Sequence, residues 1–361
     1  MQKKFIIFLV LILCVKASAE KKPEISYVRQ KIGPVYAPPV QFQNSIYFIG
    51  SSGALYSSDF DQVKVKELFK MKLRSVAEPL LNGTTLYFGD GLHEDENSNL
   101  YAYDLVQKKI KFSISIDGHV EKKPAIFGDF LIVGLGPAGI AAFNKQTGKV
   151  ALEVKKIGDK NLHVDSSPIV RNGHIYFTSI YSYKAIIGMQ ASDGKVLWKH
   201  ETSKSPKADL VIDDDYIVSL ASEGGLTTEE REIPSELVVL RSKTGDLISK
   251  KELRGSNYFP QMISKNEIFI ALSTGDIISV EITSGKMAVV DQYPEPFLAS
   301  TFFFNDSACA ISVAGRLFCY KNKKLTYKKE LGEINIGKVS DVIHDRVYLP
   351  SRAGFFVLTK W

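Results

Sequence analysis

The chain has 361 residues, 45% of them hydrophobic and 24% charged, with 46 Lys and Arg against 40 Asp and Glu and a formal net charge of +6 at pH 7. That composition supports a large core. No basic block concentrates the surplus charge, which argues against nucleic acid as a partner, because phosphate binding needs a clustered cationic surface.

The first 19 residues stand apart. Lys3 and Lys4 open them, Phe5 to Val15 is apolar, and Ala17-Ser18-Ala19 is a small-residue cleavage pattern. This order predicts a secretory signal peptide cut before Glu20. The apolar run has 11 residues, whereas a bilayer span needs about 20, and no later stretch is long enough. Leu13 precedes Cys14 where lipid attachment wants a small residue, so lipidation is not expected. Loss of Lys3, Lys4 and Lys16 takes the charge of the exported chain to +3. The expected location is beyond the inner membrane, in the periplasm or peripheral to the outer membrane.

The rest of the chain repeats itself. Units open near Pro39, Pro79, Pro124, Pro168, Ala208, Pro260, Leu298 and Val339, at spacings of 38 to 52 residues. Each reads as an apolar strand, a polar turn, a second strand, a variable turn, a third strand, a T-G-K or D-G-K type turn and a fourth strand. Eight four-stranded units of this period predict an all-β, eight-bladed propeller over residues 20–361. The strands are rich in β-branched and aromatic residues, as in Ile175-Tyr176-Phe177, and Asn172-Gly173 and Asp193-Gly194 supply turn chemistry. Gly134, Gly136 and Gly139 have G-x-G-x-x-G spacing, but a dinucleotide turn must lead into a helix. Here a strand and the Thr147-Gly148 turn follow, so the glycines are assigned to a loop between second and third strands. The last unit supplies three strands, Val339-Ile343, Arg346-Leu349 and Gly354-Thr359. Residues 24–33 are therefore expected to complete it, closing the ring and covering its edge.

The units resemble the pyrroloquinoline-quinone (PQQ)-type propeller repeat. "GMQASDGKVLWKH" (188–200) is the best copy and "AAFNKQTGKVALE" (141–153) the next. The resemblance implies the propeller fold and two possible activities. One branch of the family is enzymatic and binds PQQ and calcium in the axial funnel. The other contains non-enzymatic subunits of the outer-membrane β-barrel assembly machine. Chain length, the export signal and the missing adjacent cysteine pair favour the second, implying a scaffold with a protein partner and no cofactor. The rival is a quinoprotein oxidoreductase. Among the repeats quoted, Trp198 keeps the tryptophan expected between blades, with Leu152 and Val289 standing nearby in other units.

No linear motif carries chemistry. Histidines 93, 119, 163, 174, 200 and 344 form no H-E-x-x-H or Cys/His cluster, so no catalytic, cofactor or metal residue is assigned. Asp95, Asn97 and Asn99 alternate like calcium ligands, but Leu100 replaces the glycine such a loop requires, and a solvated hairpin tip is expected. Cys309 and Cys319 flank the turn at Ala314-Gly315 and are a candidate disulfide of an exported chain. Partner recognition is assigned to elaborated loops between second and third strands: His93, Glu94 and Asp95 in unit two, Tyr181 and Tyr183 in unit four, and Glu229, Glu230 and Arg231 in unit five. The surface tyrosines 181 and 183 also leave open a sugar- or polymer-binding reading.

Overall fold

The computed structural model describes residues 24–29, 32–60, 64–93, 95–213, 215–224, 229–332, 337–352 and 354–359. The expected signal peptide, Cys14 and Glu94 lie outside them. The described residues form strands and turns, with no helix long and apolar enough to cross a membrane.

Seven antiparallel four-stranded sheets follow one another in chain order, each a meander. Blade 3, for example, runs Ala125–Phe127, Phe130–Gly134, Ile140–Asn144 and Val150–Val154. Such a sheet exposes two apolar faces, and the packing shows how they are covered. The eight hydrophobic clusters each span two neighbouring blades. Phe177 and Ile187 of blade 4 meet Ile132 and Ile140 of blade 3, and Tyr348 and Phe355 of blade 8 meet Phe48 and Tyr56 of blade 1. Among the described residues no blade has a core of its own, so each sheet depends on its neighbours in the ring for burial.

Closure comes from the amino-terminal strand. Glu24–Arg29 pairs antiparallel with Gly354–Thr359, from Glu24 opposite Thr359 to Arg29 opposite Gly354. Blade 8 differs from expectation at its inner edge. Val339-Ile343 is not a regular strand and forms one bridge, between Ile343 and Arg346. The Ser340 amide donates to the Tyr348 carbonyl at 3.1 Å, while the return bond from the Tyr348 amide goes to Ser340 Oγ at 2.8 Å; His344 and Asp345 both adopt positive φ, so a side chain replaces one ladder bond and a tight turn cuts the pairing short.

The recurrent turn glycines have a packing cause. A Cβ on Gly245 would lie 2.6 Å from the Trp198 ring of the preceding blade, and Trp198 Nε1 donates to the Ser242 carbonyl at 3.1 Å. On Gly194 it would meet Leu152 at 2.6 Å. Leucine thus fills the tryptophan slot in blade 3. In blade 7, Cys309 and Cys319 are directly opposed on paired strands, with Cα atoms 4.1 Å apart, and are joined by a disulfide.

Candidate functional site

In a meander of this kind, loops between second and third strands share a face with the connections entering the next blade. On that face a cavity of about 710 Å³ opens along the axis. A second cavity, of about 740 Å³, is lined by inner-strand residues such as Ile126, Val170 and Met262. The two share Lys123, Ser167, Asp209 and Lys338, which form a charged waist between them.

The waist is built by residues beside the unit openings. Glu78, from the entry to blade 2, binds Lys123 Nζ at 2.7 Å and Lys338 Nζ at 2.8 Å. Asp209, from blade 5, accepts the Ser167 amide at 2.8 Å and its hydroxyl at 2.9 Å, with Lys338 at 3.9 Å and Lys122 at 4.0 Å. Burial alone would push both carboxyls up. The ammonium groups outweigh it and hold both below the usual range. Burial would likewise lower Lys338, but Glu78 and Asp209 raise it above the ordinary lysine value. Blades 2, 3, 5 and 8 are therefore tied across the axis.

The mouth above the waist collects three of the six histidines. His119 and Glu121 lie two residues apart in the connection entering blade 3, and His163 and Asp165 occupy the matching positions before blade 4. Extended backbone places such pairs on one face. His119 Nε2 lies 2.9 Å from Asp165 Oδ1, and His163 Nε2 lies 3.0 Å from Asp165 Oδ2. His93, from the loop of blade 2, brings Nδ1 to 3.2 Å from Glu121 Oε1 and 3.7 Å from Asp165 Oδ2. His119 is fully buried, whereas His93 is 65% exposed. Burial raises the Asp165 carboxyl, but its histidine donors win and hold it well below the usual range. Burial lowers the His119 imidazole, and Asp165 and Glu121 reverse that and raise it. Glu121 is pushed up, first by burial and then by the charge of Asp165.

The glycines at 134–139 serve this arrangement. A Cβ on Gly136 would stand 2.4 Å from the His119 ring, and one on Gly134 would stand 2.8 Å from the Val164 carbonyl. The Gly136 amide donates to the Val164 carbonyl at 3.1 Å, and the Val164 amide returns a bond at 2.8 Å. The loop thus pins the segment carrying His163 and Asp165 while leaving room for His119. A strand, Ile140–Asn144, follows Gly139, as a propeller requires.

The other residues singled out in the sequence fall into different surroundings. Asp95 folds back, its carboxylate accepting the Leu92 amide at 2.8 Å. Asn97 and Asn99 lie in the strand Asn97–Asp104, and Asn99 donates to Ser113 at 3.1 Å; the three do not form a calcium loop. Tyr181 is 48% exposed and meets His163 edge to face at 4.7 Å. Tyr183 is not a surface residue: at 2% exposure it packs in the core between blades 3 and 4, under the Lys160 ammonium at 4.9 Å. Its aromatic bulk fills the inter-blade space that a loop assignment overlooked. Glu229, Glu230 and Arg231 are exposed, and Arg231 donates to the Pro294 carbonyl, reaching the entry to blade 7. Lys184 of blade 4 binds Glu223 of blade 5 at 2.6 Å. The elaborated loops are therefore cross-linked to their neighbours.

No linear motif marks the mouth, but a signal exists. "HVEKKP" (119–124) and "HVDSSP" (163–168) set His-Val-acid at the same offset before two consecutive unit openings. Aligned repeats reveal it; a search for metal motifs does not.

The dehydrogenase branch of the PQQ-type repeat would need a quinone on calcium, a hard cation that takes oxygen donors. Arg74 and Arg352 do line the cavity, but among the described residues Glu78 and Asp209 are neutralised by lysines, and Glu121 and Asp165 stand among imidazole nitrogens, which calcium does not favour. They present no oxygen cage, and the residues do not fit that group.

The family profile of outer membrane protein assembly factor BamB matches residues 112–357, more than half of the chain. No curated protein matches it in sequence. Among solved structures, BamB from Moraxella catarrhalis is similar with a TM-score of 0.74 at 11% identity, over 94% of this chain and 100% of that one. The computationally designed Ika8 protein gives a TM-score of 0.72 at 10% identity, over 91% and 97%. At these identities both likenesses speak for the fold alone.

Proposed function

The chain belongs to the family of outer membrane protein assembly factor BamB, and from that premise we propose that it is a non-catalytic, protein-binding scaffold of outer-membrane protein assembly. The family match over residues 112–357 carries the reading. The geometry adds a face suited to it. The loops of blades 2, 4 and 5 stand on one rim, laced by the Lys184–Glu223 and Arg231–Pro294 contacts, with Tyr181 exposed among them. Loops held by a rigid scaffold are suited to recognition. In this reading the protein is exported by residues 1–19, lies in the periplasm or against the outer membrane, and holds a component of the β-barrel assembly machine against this rim. An extended partner segment could also add to an outer strand edge.

The test is site-specific photo-crosslinking from Tyr181 in intact envelopes. The expected product is an adduct with a barrel-assembly component. Crosslinking from every rim loop with no envelope protein recovered would sink the scaffold reading. Added PQQ with calcium is expected to leave the quinone absorbance unchanged.

A further inference from the structure

We propose that the funnel mouth binds one divalent transition-metal ion of the zinc class, held by His93 Nδ1, His119 Nε2, Glu121 Oε1 and a carboxylate oxygen of Asp165. The site is independent of the scaffold reading, since it rests on donor geometry and not on a partner.

Distance is the first argument. With bonds of about 2.0–2.1 Å, neighbouring ligand atoms of a tetrahedral zinc site lie about 3.3 Å apart. The histidine–carboxylate separations at the mouth are 2.9, 3.2, 3.7 and 3.8 Å. They straddle that length, so an ion enters with small side-chain adjustments. The potential ligand atoms of His93, His119 and Asp165 all lie within 4.8 Å of one another.

Charge is the second. Glu121 and Asp165 face the same small volume, and Glu121 Oε1 is buried: His93 Nδ1 stands 3.2 Å away, but among the described residues no contact to this oxygen has hydrogen-bond geometry. Two carboxylates, two neutral imidazoles and one divalent cation sum to zero. The mixed nitrogen and oxygen donor set suits zinc and its neighbours, and is a poor match for calcium or magnesium.

The outer shell is the third. Ligating groups in metal sites are themselves held by hydrogen bonds. His163 holds Asp165 from outside through its 3.0 Å contact, and Tyr181 braces the His163 ring. Gly91 and Gly136 leave the space that His119 occupies, since a Cβ at either would come within 3 Å of it. His93 stands at the solvent side of the cavity and offers an entry path.

With four protein ligands the ion has no open position, which marks a structural site. It joins the loop of blade 2 to the connections entering blades 3 and 4. Metal loading would therefore fasten the part of the rim that carries His93 beside Tyr181.

The experiment strips the exported chain with a chelator and titrates it with zinc chloride alone, by calorimetry. One ion per chain is expected, with a raised melting midpoint and no heat from calcium chloride. His93→Ala removes an exposed ligand without disturbing the core and should weaken zinc binding at least about 10-fold. Cobalt(II) is the spectroscopic probe: the visible bands of a four-coordinate site are expected in the parent, retained in His163→Gln with weaker binding, and lost in Asp165→Asn. Absence of binding at millimolar zinc overturns the proposal. So does stoichiometric binding that is unchanged in His93→Ala, with folding of each variant checked by circular dichroism.

Discussion

Two clusters of ionisable side chains share the axial cavity and are balanced in different ways. At the waist, Glu78 and Asp209 are matched by the ammonium groups of Lys122, Lys123 and Lys338. At the mouth, Glu121 and Asp165 face His93, His119 and His163, which carry charge only when protonated. Lysine offers an ammonium and nothing else, so the waist is complete in itself and works as a strut across the ring. Histidine offers a lone pair as readily as a proton, so the mouth can be completed from outside. The difference separates a region that holds the fold from a region available for function.

The largest effect is expected at the waist. Lys338→Met leaves two buried carboxylates short of a partner, and breaking a buried ion pair in this way costs about 3 kcal/mol or more. Denaturant melts should show that loss. Combining it with Glu78→Gln should recover part of it, because the second change removes one stranded charge. An additive double variant would show that Glu78 and Lys338 do not work as a pair.

The pH dependence of the same pair sharpens the contrast. Glu78 and Asp209 are depressed in the folded chain. Their contribution is therefore present above the ordinary carboxylate value of about 4 and is lost as pH falls below it. Lys338 is raised. Its contribution is present below the ordinary lysine value of about 10.4 and is lost as pH climbs past it. The stability gap between the parent and the Glu78→Gln, Lys338→Met double variant should be widest from about pH 5 to 9 and shrink at both ends. A gap that stays the same from about pH 3 to about pH 11, with no shrinkage at either end, would contradict the assignment.

A smaller loss is expected from Gly136→Ala at the mouth. The position has φ 56°, and the new methyl would meet the His119 ring at 2.4 Å. Backbone strain and overpacking together predict a cost of about 1–3 kcal/mol. Because the strain falls on His119, zinc affinity should fall with stability, whereas Lys338→Met should lower stability and leave zinc affinity near the parent value. Equal effects of both variants on metal binding would erase the distinction between the regions.

The propeller was legible because its information is local and repeated. Each unit carries its own turn residues, such as Asn172-Gly173 and Asp193-Gly194, and the short last unit pointed to a strand from the other terminus. That strand pairs through Glu24–Arg29. The inner edge of blade 8 departs from the repeat because Ser340 meets Tyr348 half through its backbone and half through its side chain, and the turn at His344 and Asp345 ends the pairing. The mouth was not legible as a motif, because its donors come from three separate connections and only ring closure brings them together. Tyr183 reads as a surface residue from its loop position, but burial depends on which way the side chain turns at the blade interface, and spacing does not encode that. Gly136 shows the converse case. Its spacing suggested a nucleotide turn, and its cause is the histidine ring packed against it.

The smallest effect on stability, and the sharpest on function, is expected at Tyr181. Its backbone sits at φ 61°, a region that bulky residues rarely occupy. Its ring lies half in solvent against His163, with the Lys207 ammonium 5.7 Å from its centre. Removing the ring gives up little buried surface, so Tyr181→Ala should change stability by no more than about 0.5 kcal/mol. An exposed aromatic on a cross-braced rim is the kind of side chain that anchors a protein partner. The same variant should therefore reduce recovery of the barrel-assembly component from envelope extracts several-fold. If recovery is unchanged while zinc binding persists, partner contact lies elsewhere on the ring and the mouth is a metal-fastened brace with no docking role.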